Sequence, residues 1–156
     1  MNEIIVFVAS YLYLASVALF AGYFFSTEKT LRRRVLLVSF FALPLSYLSG
    51  LVAGFLCYDP RPFAVLHITP LISHAADNGF PSDHALLMGT LAAIVTVFNR
   101  RLGALLWALA IVVGVARVLV AIHHPLDILA SFAIAIVATF IVVTLLTRRK
   151  MLVEQV

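Results

Sequence analysis

Cysteine occurs once in this chain, at Cys57, so no intramolecular disulfide can brace it and cysteine usage does not report a redox compartment. Charge is scarce as well. Only 12% of the residues are Asp, Glu, Lys or Arg, about half the share usual in a soluble domain. The opening Met1-Asn2-Glu3 lacks the basic stretch of a cleavable signal peptide, so the first apolar segment is expected to be retained. No internal repeat, low-complexity run or soluble domain is visible, and residues 1–156 are expected to form a single membrane-embedded domain.

What the chain has in excess is apolar surface. It is 63% hydrophobic with a mean hydropathy of +1.10, and several stretches reach the ~20 residues that cross a bilayer. The expected fold class is all-α: an integral membrane helix bundle with about five transmembrane helices, near residues 4–25, 35–56, 82–98, 102–122 and 126–146. A pI near 9.6 could point to nucleic acid, but the basic residues sit in short loops beside apolar spans. They read as topology signals, and no nucleic-acid partner is expected.

Those loops agree with one another. Lys29, Arg32, Arg33 and Arg34 follow the first span, Arg100 and Arg101 the third, and Arg148, Arg149 and Lys150 the fifth. The positive-inside rule then predicts a multi-pass protein of the cell (inner) membrane, with the N-terminus outside and the C-terminus cytoplasmic. The loop over residues 57–81 and the short His123-His124-Pro125 link are expected to face outward, towards the periplasm or exterior.

Ionisable groups at the ends of membrane spans point to a functional site, and three segments carry them. Phe80-Pro81-Ser82-Asp83-His84 opens an apolar helix. A helix N-terminus offers free N–H groups and a positive dipole end that receive a phosphate; plain capping by Ser82 or Asp83 is the structural alternative. His84 in the first turn is suited to give a proton to a departing oxygen. Arg117 is expected about two turns inside the fourth span, counted back from Ile122. Its planar fork suits phosphate oxygens, and snorkelling to the interface is the alternative. In the His123-His124-Pro125-Leu126-Asp127 corner, Asp127 can accept a histidine ring N–H and leave the other nitrogen free to attack. Helical spacing alone leaves His123 and His124 both eligible. Asp59-Pro60-Arg61-Pro62 is stiffened by two prolines, with Arg61 either a second phosphate ligand or paired with Asp59.

In chain order these read Arg61-Pro62, then Pro81-Ser82-Asp83-His84, then Arg117 with His123 and Asp127. The pattern resembles the type-2 phosphatidic acid phosphatase family, whose signature is K-x6-R-P, P-S-G-H and S-R-x5-H-x3-D. The resemblance runs from about Gly54 to Asp127 and matches the third motif's R-x5-H-x3-D spacing in full. It departs at Gly54, where the family has Lys, at Asp83, where it has Gly, and at Ala116, where it has Ser; many members also have six spans. Asp-Pro-Arg-Pro-Phe with Phe-Pro-Ser-Asp-His looks most like the bacterial undecaprenyl pyrophosphate phosphatase branch.

The resemblance implies metal-independent phosphoryl transfer without a cofactor. His123 is the implied nucleophile, Asp127 its orienting carboxylate and His84 the acid, then base. Arg61, Ser82, Asp83 and Arg117 make up the implied substrate-binding set. A carboxylate beside a phosphate is repulsive unless turned away, protonated or paired, so Asp83 is expected to cap the third helix or pair with an arginine. The implied substrate is a membrane lipid phosphate: undecaprenyl pyrophosphate first, phosphatidic acid or phosphatidylglycerophosphate second. Transfer to another lipid would use the same residues. Intramembrane Arg, His and Asp also mark transporters, but that function calls for ionisable groups through the membrane depth, whereas these gather at one face. A metal on His84, His123, His124 and Asp127 is chemically possible, and the neighbouring arginines oppose it.

Overall fold

The computed structural model describes residues 2–152. The chain forms α1 (Asn2–Tyr11), α2 (Tyr13–Ser26), α3 (Lys29–Leu56), the short α4 (Pro62–Leu66), α5 (Asp83–Phe98), α6 (Arg100–Leu119) and α7 (Pro125–Arg148). Among the described residues no strand forms, and a single isolated bridge pairs Pro60 with Asn78. The all-α membrane bundle expected from hydropathy is therefore what the chain adopts.

The spans differ in detail from the hydropathy reading. Three helices are single, long and apolar enough to cross a membrane: α3, α6 and α7. The first span is not one helix but the pair α1–α2, bent by 41° at Leu12. The helix at residues 83–98 has only 16 residues, or about 24 Å at 1.5 Å per residue, short of a ~30 Å hydrocarbon core. It is nonetheless the centre of the bundle. Ten of its residues, from Ala85 to Val95, are buried, and a helix apolar on every side belongs inside its neighbours. The other helices turn Phe40, Phe55, Phe140 and Leu145 outward, which suits contact with lipid. With hydrocarbon on both sides of the choice, close packing rather than water exclusion holds such helices together.

Two buried hydroxyls are absorbed locally. Ser39 donates to the Val35 carbonyl and Thr90 to that of Leu86, each one turn back. The basic turn after α2 also does structural work, since Arg32 Nη2 donates to the Phe25 and Thr27 carbonyls at 2.6 and 2.9 Å. It thereby satisfies the open C-terminal end of α2. Asn99 ends α5 and caps α6, accepting the Leu102 N–H at 3.1 Å. The basic residues of all three turns thus gather at one end of the bundle. The ends of α3 and α6 and the starts of α5 and α7 meet at the other.

Two small residues of α3 allow that second end to close. A Cβ added to Gly50 would stand 2.7 Å from Leu86 Cδ2, and one added to Gly54 would stand 2.8 Å from the Phe80 carbonyl oxygen. Their smallness therefore serves helix and loop packing. It also explains the missing lysine, because the space beside residue 54 is filled by the Phe80-Pro81 backbone and ring.

Candidate active site

The loop over residues 57–82 folds back onto the helix ends instead of hanging free. Asn78 is its clamp: Nδ2 donates to the Gly54 and Cys57 carbonyls, and Oδ1 accepts the Asp59 and Phe80 N–H groups. Arg61 is the second tie. Its Nε donates to Asp77 Oδ1 at 2.7 Å, Nη1 to the Ile122 carbonyl at 2.9 Å and Nη2 to the Asn78 carbonyl at 3.4 Å. The expected alternative, a pair with Asp59, does not form; Asp59 meets His124 Nδ1 at 3.1 Å instead. The guanidinium beside Asp77 holds that carboxyl below the usual range.

These ties bring the three segments together. His123 is buried, with Nδ1 at 2.9 Å from the Gly79 carbonyl and 3.2 Å from Asp127 Oδ2. Both partners only accept, so Nδ1 carries the proton and Nε2 keeps its lone pair. That lone pair faces Arg117, whose Nη2 lies 3.3 Å away. Burial pushes the His123 imidazole below its ordinary pKa; the Asp127 bond opposes this, while the Arg117 and Arg61 charges add to it. The same Asp127 oxygen accepts the His124 N–H at 2.8 Å. Pro125 occupies the first turn of α7, where its missing N–H costs nothing. The carboxylate therefore caps the helix and fixes the imidazole together.

Arg117 lies in the last turn of α6, not two turns inside the span, because the helix stops at Leu119 and the chain turns at Ala121 with φ 62°. A cation is favoured there by the helix dipole. Nη1 donates to the Ala9 carbonyl at 3.1 Å, and Nε is buried without a partner among the described residues. Of its five N–H donors, three remain for a ligand. Ser82 stands at the N-cap of α5, yet its buried hydroxyl makes no cap bond and has no partner among the described residues. Ser131 Oγ lies 3.0 Å from the Ser82 carbonyl, tying α7 to the start of α5.

Asp83 departs from expectation. It is exposed at the first position of α5, and among the described residues it neither caps the helix through its side chain nor pairs with an arginine. It borders a cavity of about 80 Å³ with Ser46 and Tyr47. His84 is half-buried within electrostatic reach of Arg117 and His123, its ring edge-to-face with Tyr13 at 4.7 Å between centroids.

The sequence reading assigned no site role to Ala9, Tyr13, Asp77, Asn78, Gly79 or Ser131. Asp77-Asn78-Gly79 has turn composition, but no local spacing announces that its carbonyl faces a histidine 44 residues later. Asp59, His124 and Asp127 also bring potential cation-ligand atoms within 4.8 Å of one another. This is a different set from the one the sequence offered, and the Arg61 and Arg117 charges acting on the adjoining His123 oppose a cation there.

Comparison with known proteins bears directly on this constellation. The PAP2 superfamily matches residues 34–151, which includes Arg61, Ser82, His84, Arg117, His123 and Asp127. The chain belongs to that family. It is a lipid phosphate phosphatase by class. Over 148 residues it is 32% identical to the undecaprenyl-diphosphatase BcrC of Bacillus subtilis, covering 90% of this chain and 72% of that one. Over 143 residues it is 29% identical to a Bacillus licheniformis protein named bacitracin transport permease protein BcrC, covering 91% and 70%. The fold is also that of Aquifex aeolicus LpxE, at a TM-score of 0.74 and 21% identity over 92% of this chain and 87% of that one. A PAP2-type phosphatidylglycerolphosphate phosphatase from Bacillus subtilis superposes at 0.64, with 22% identity over 94% and 77%.

Proposed function

We propose that this protein hydrolyses undecaprenyl pyrophosphate to undecaprenyl phosphate and inorganic phosphate, by way of a phosphohistidine and without a metal. The observation that carries the mechanism is the His123 geometry: Nδ1 is held by Asp127 and the Gly79 carbonyl, and the unprotonated Nε2 faces a guanidinium. Nε2 attacks the terminal phosphorus, an N–P bond forms, and the bond to the bridging oxygen breaks. His84 gives its proton to that oxygen. Water, deprotonated by His84, then attacks the phosphohistidine and releases phosphate. Phosphoryl transfer asks chiefly for positioning and charge stabilisation, supplied by the three spare donors of Arg117, the two left on Arg61, the Ser82 hydroxyl and the N–H groups opening α5.

The diphosphate substrate is supported by the Bacillus subtilis relative's name and by the motif resemblance. The outward-facing site is supported by the basic turns, all at the opposite end of the bundle. A transporter would place ionisable groups along the membrane path, whereas the buried ones (Arg61, Arg117, His123 and Asp127) all lie at one end.

The test is phosphate release by purified protein from undecaprenyl pyrophosphate, phosphatidic acid and phosphatidylglycerophosphate, with a chelator present. Preference for the first substrate, and loss of at least about 100-fold in His123→Ala, are expected. Activity abolished by the chelator would exclude the metal-free route. Full activity in both His123→Ala and His84→Ala would exclude the residue assignment.

A further inference from the structure

The bent first span, residues 2–26, lies outside the segment that matches the family, yet it touches the site twice. No proline or glycine stands near the bend, where the sequence runs Val8-Ala9-Ser10-Tyr11-Leu12-Tyr13. The backbone bonds at the break are a long Leu12 to Val8 contact of 3.4 Å and a three-residue step from Ala15 to Leu12 at 3.0 Å. A regular helix would pair the Ala9 carbonyl with the Tyr13 N–H; here that carbonyl accepts Arg117 Nη1 at 3.1 Å. A side chain entering the ladder is one of the few recognised causes of a sharp kink. One turn further on, the Tyr13 ring meets the His84 imidazole edge-to-face, at 4.7 Å and 79°. Tyr13 also packs on the buried cluster of Met88, Ala110 and Val113, so the residue is itself held in place.

We infer that Tyr13 is a positioning residue for the phosphatase reaction, setting the His84 imidazole at the angle from which it delivers a proton to the leaving oxygen. This rests on the phosphatase reading above. Three observations carry it. His84 makes no side-chain hydrogen bond among the described residues, so the aromatic contact is what orients it. Tyr13 is anchored by the α5–α6 core rather than by lipid. The kink that aims Tyr13 is tied to Arg117, which faces the nucleophile. The first span thereby serves acid and nucleophile together, through one ring and one carbonyl.

Proton delivery matters most when the leaving group is basic, so the readout is leaving-group dependence. Purified wild type, Tyr13→Leu and Tyr13→Phe are assayed on phenyl phosphate and p-nitrophenyl phosphate, whose nitrophenolate departs without a proton. For Tyr13→Leu the expected loss in kcat is about 10-fold or more on phenyl phosphate and less than about 3-fold on p-nitrophenyl phosphate, within the range a positioned acid contributes. Tyr13→Phe, which keeps the ring, is expected to restore the wild-type ratio of the two rates. Equal losses on both substrates, or a Tyr13→Phe ratio as distorted as that of Tyr13→Leu, would overturn the inference. A fully active His123→Ala on the same substrates would instead overturn the nucleophile assignment on which it rests, and a wild-type protein that releases phosphate from neither these substrates nor the lipid phosphates would overturn the phosphatase reading itself.

Discussion

His123 sits against two accepting groups and one guanidinium, and burial holds its imidazole below the ordinary range. Attack requires the neutral ring. A depressed pKa keeps that form dominant at and below the ordinary imidazole value of about 6.5, and it is lost only as pH falls through the lowered value. The acid limb of kcat/KM, which reports the free enzyme, is accordingly expected below 6.5, and a limb above it would contradict the assignment. The chemistry of this residue was half legible. The family resemblance implied the trio Arg117, His123 and Asp127, but helical spacing left His123 and His124 equivalent; in the structure the chain turns at Ala121, His123 meets Asp127 and His124 meets Asp59.

The element that builds the site is the loop between α3 and α5. Asp77 is largely exposed, so its pair with Arg61 is a modest stabiliser on its own, but it closes a loop whose Gly79 carbonyl touches His123, the proposed nucleophile. Asp77 has a lowered pKa. The tie is therefore complete above the ordinary carboxylate pKa of about 3.9 and survives mild acid, loosening as pH falls through the lowered value. Asp77→Ala is expected to raise amide hydrogen exchange across residues 74–79 at neutral pH, with unchanged exchange counting against the tie. Where the loop meets α3, Gly54→Ala forces a methyl to 2.8 Å from the Phe80 oxygen. It should cost about 1–3 kcal/mol, as overpacking does, measured by unfolding in detergent; wild-type stability would show that the loop gives way freely. Prolines 60 and 62 announced a stiff loop. Its four-bond Asn78 clamp was not legible, because it joins groups up to 24 residues apart.

At the scale of the whole molecule, the site end is opposite the basic end, and the single cysteine, exposed Cys57, marks the former. A membrane-impermeant maleimide added to intact cells is expected to label Cys57, and labelling only after permeabilisation would reverse the orientation. Hydropathy and loop charge are properties of segments, which is why composition alone determined an all-α membrane bundle, its basic end and the three motif segments that face away from it. Other features depend on groups far apart in the chain. They are the bend at Leu12, the central burial of a helix of only 16 residues, the closure of the lysine position at Gly54, and the choice of His123 by Gly79 and Asp127. Only tertiary packing decided them, since each is set by a backbone carbonyl, a ring or a steric contact that no local pattern encodes.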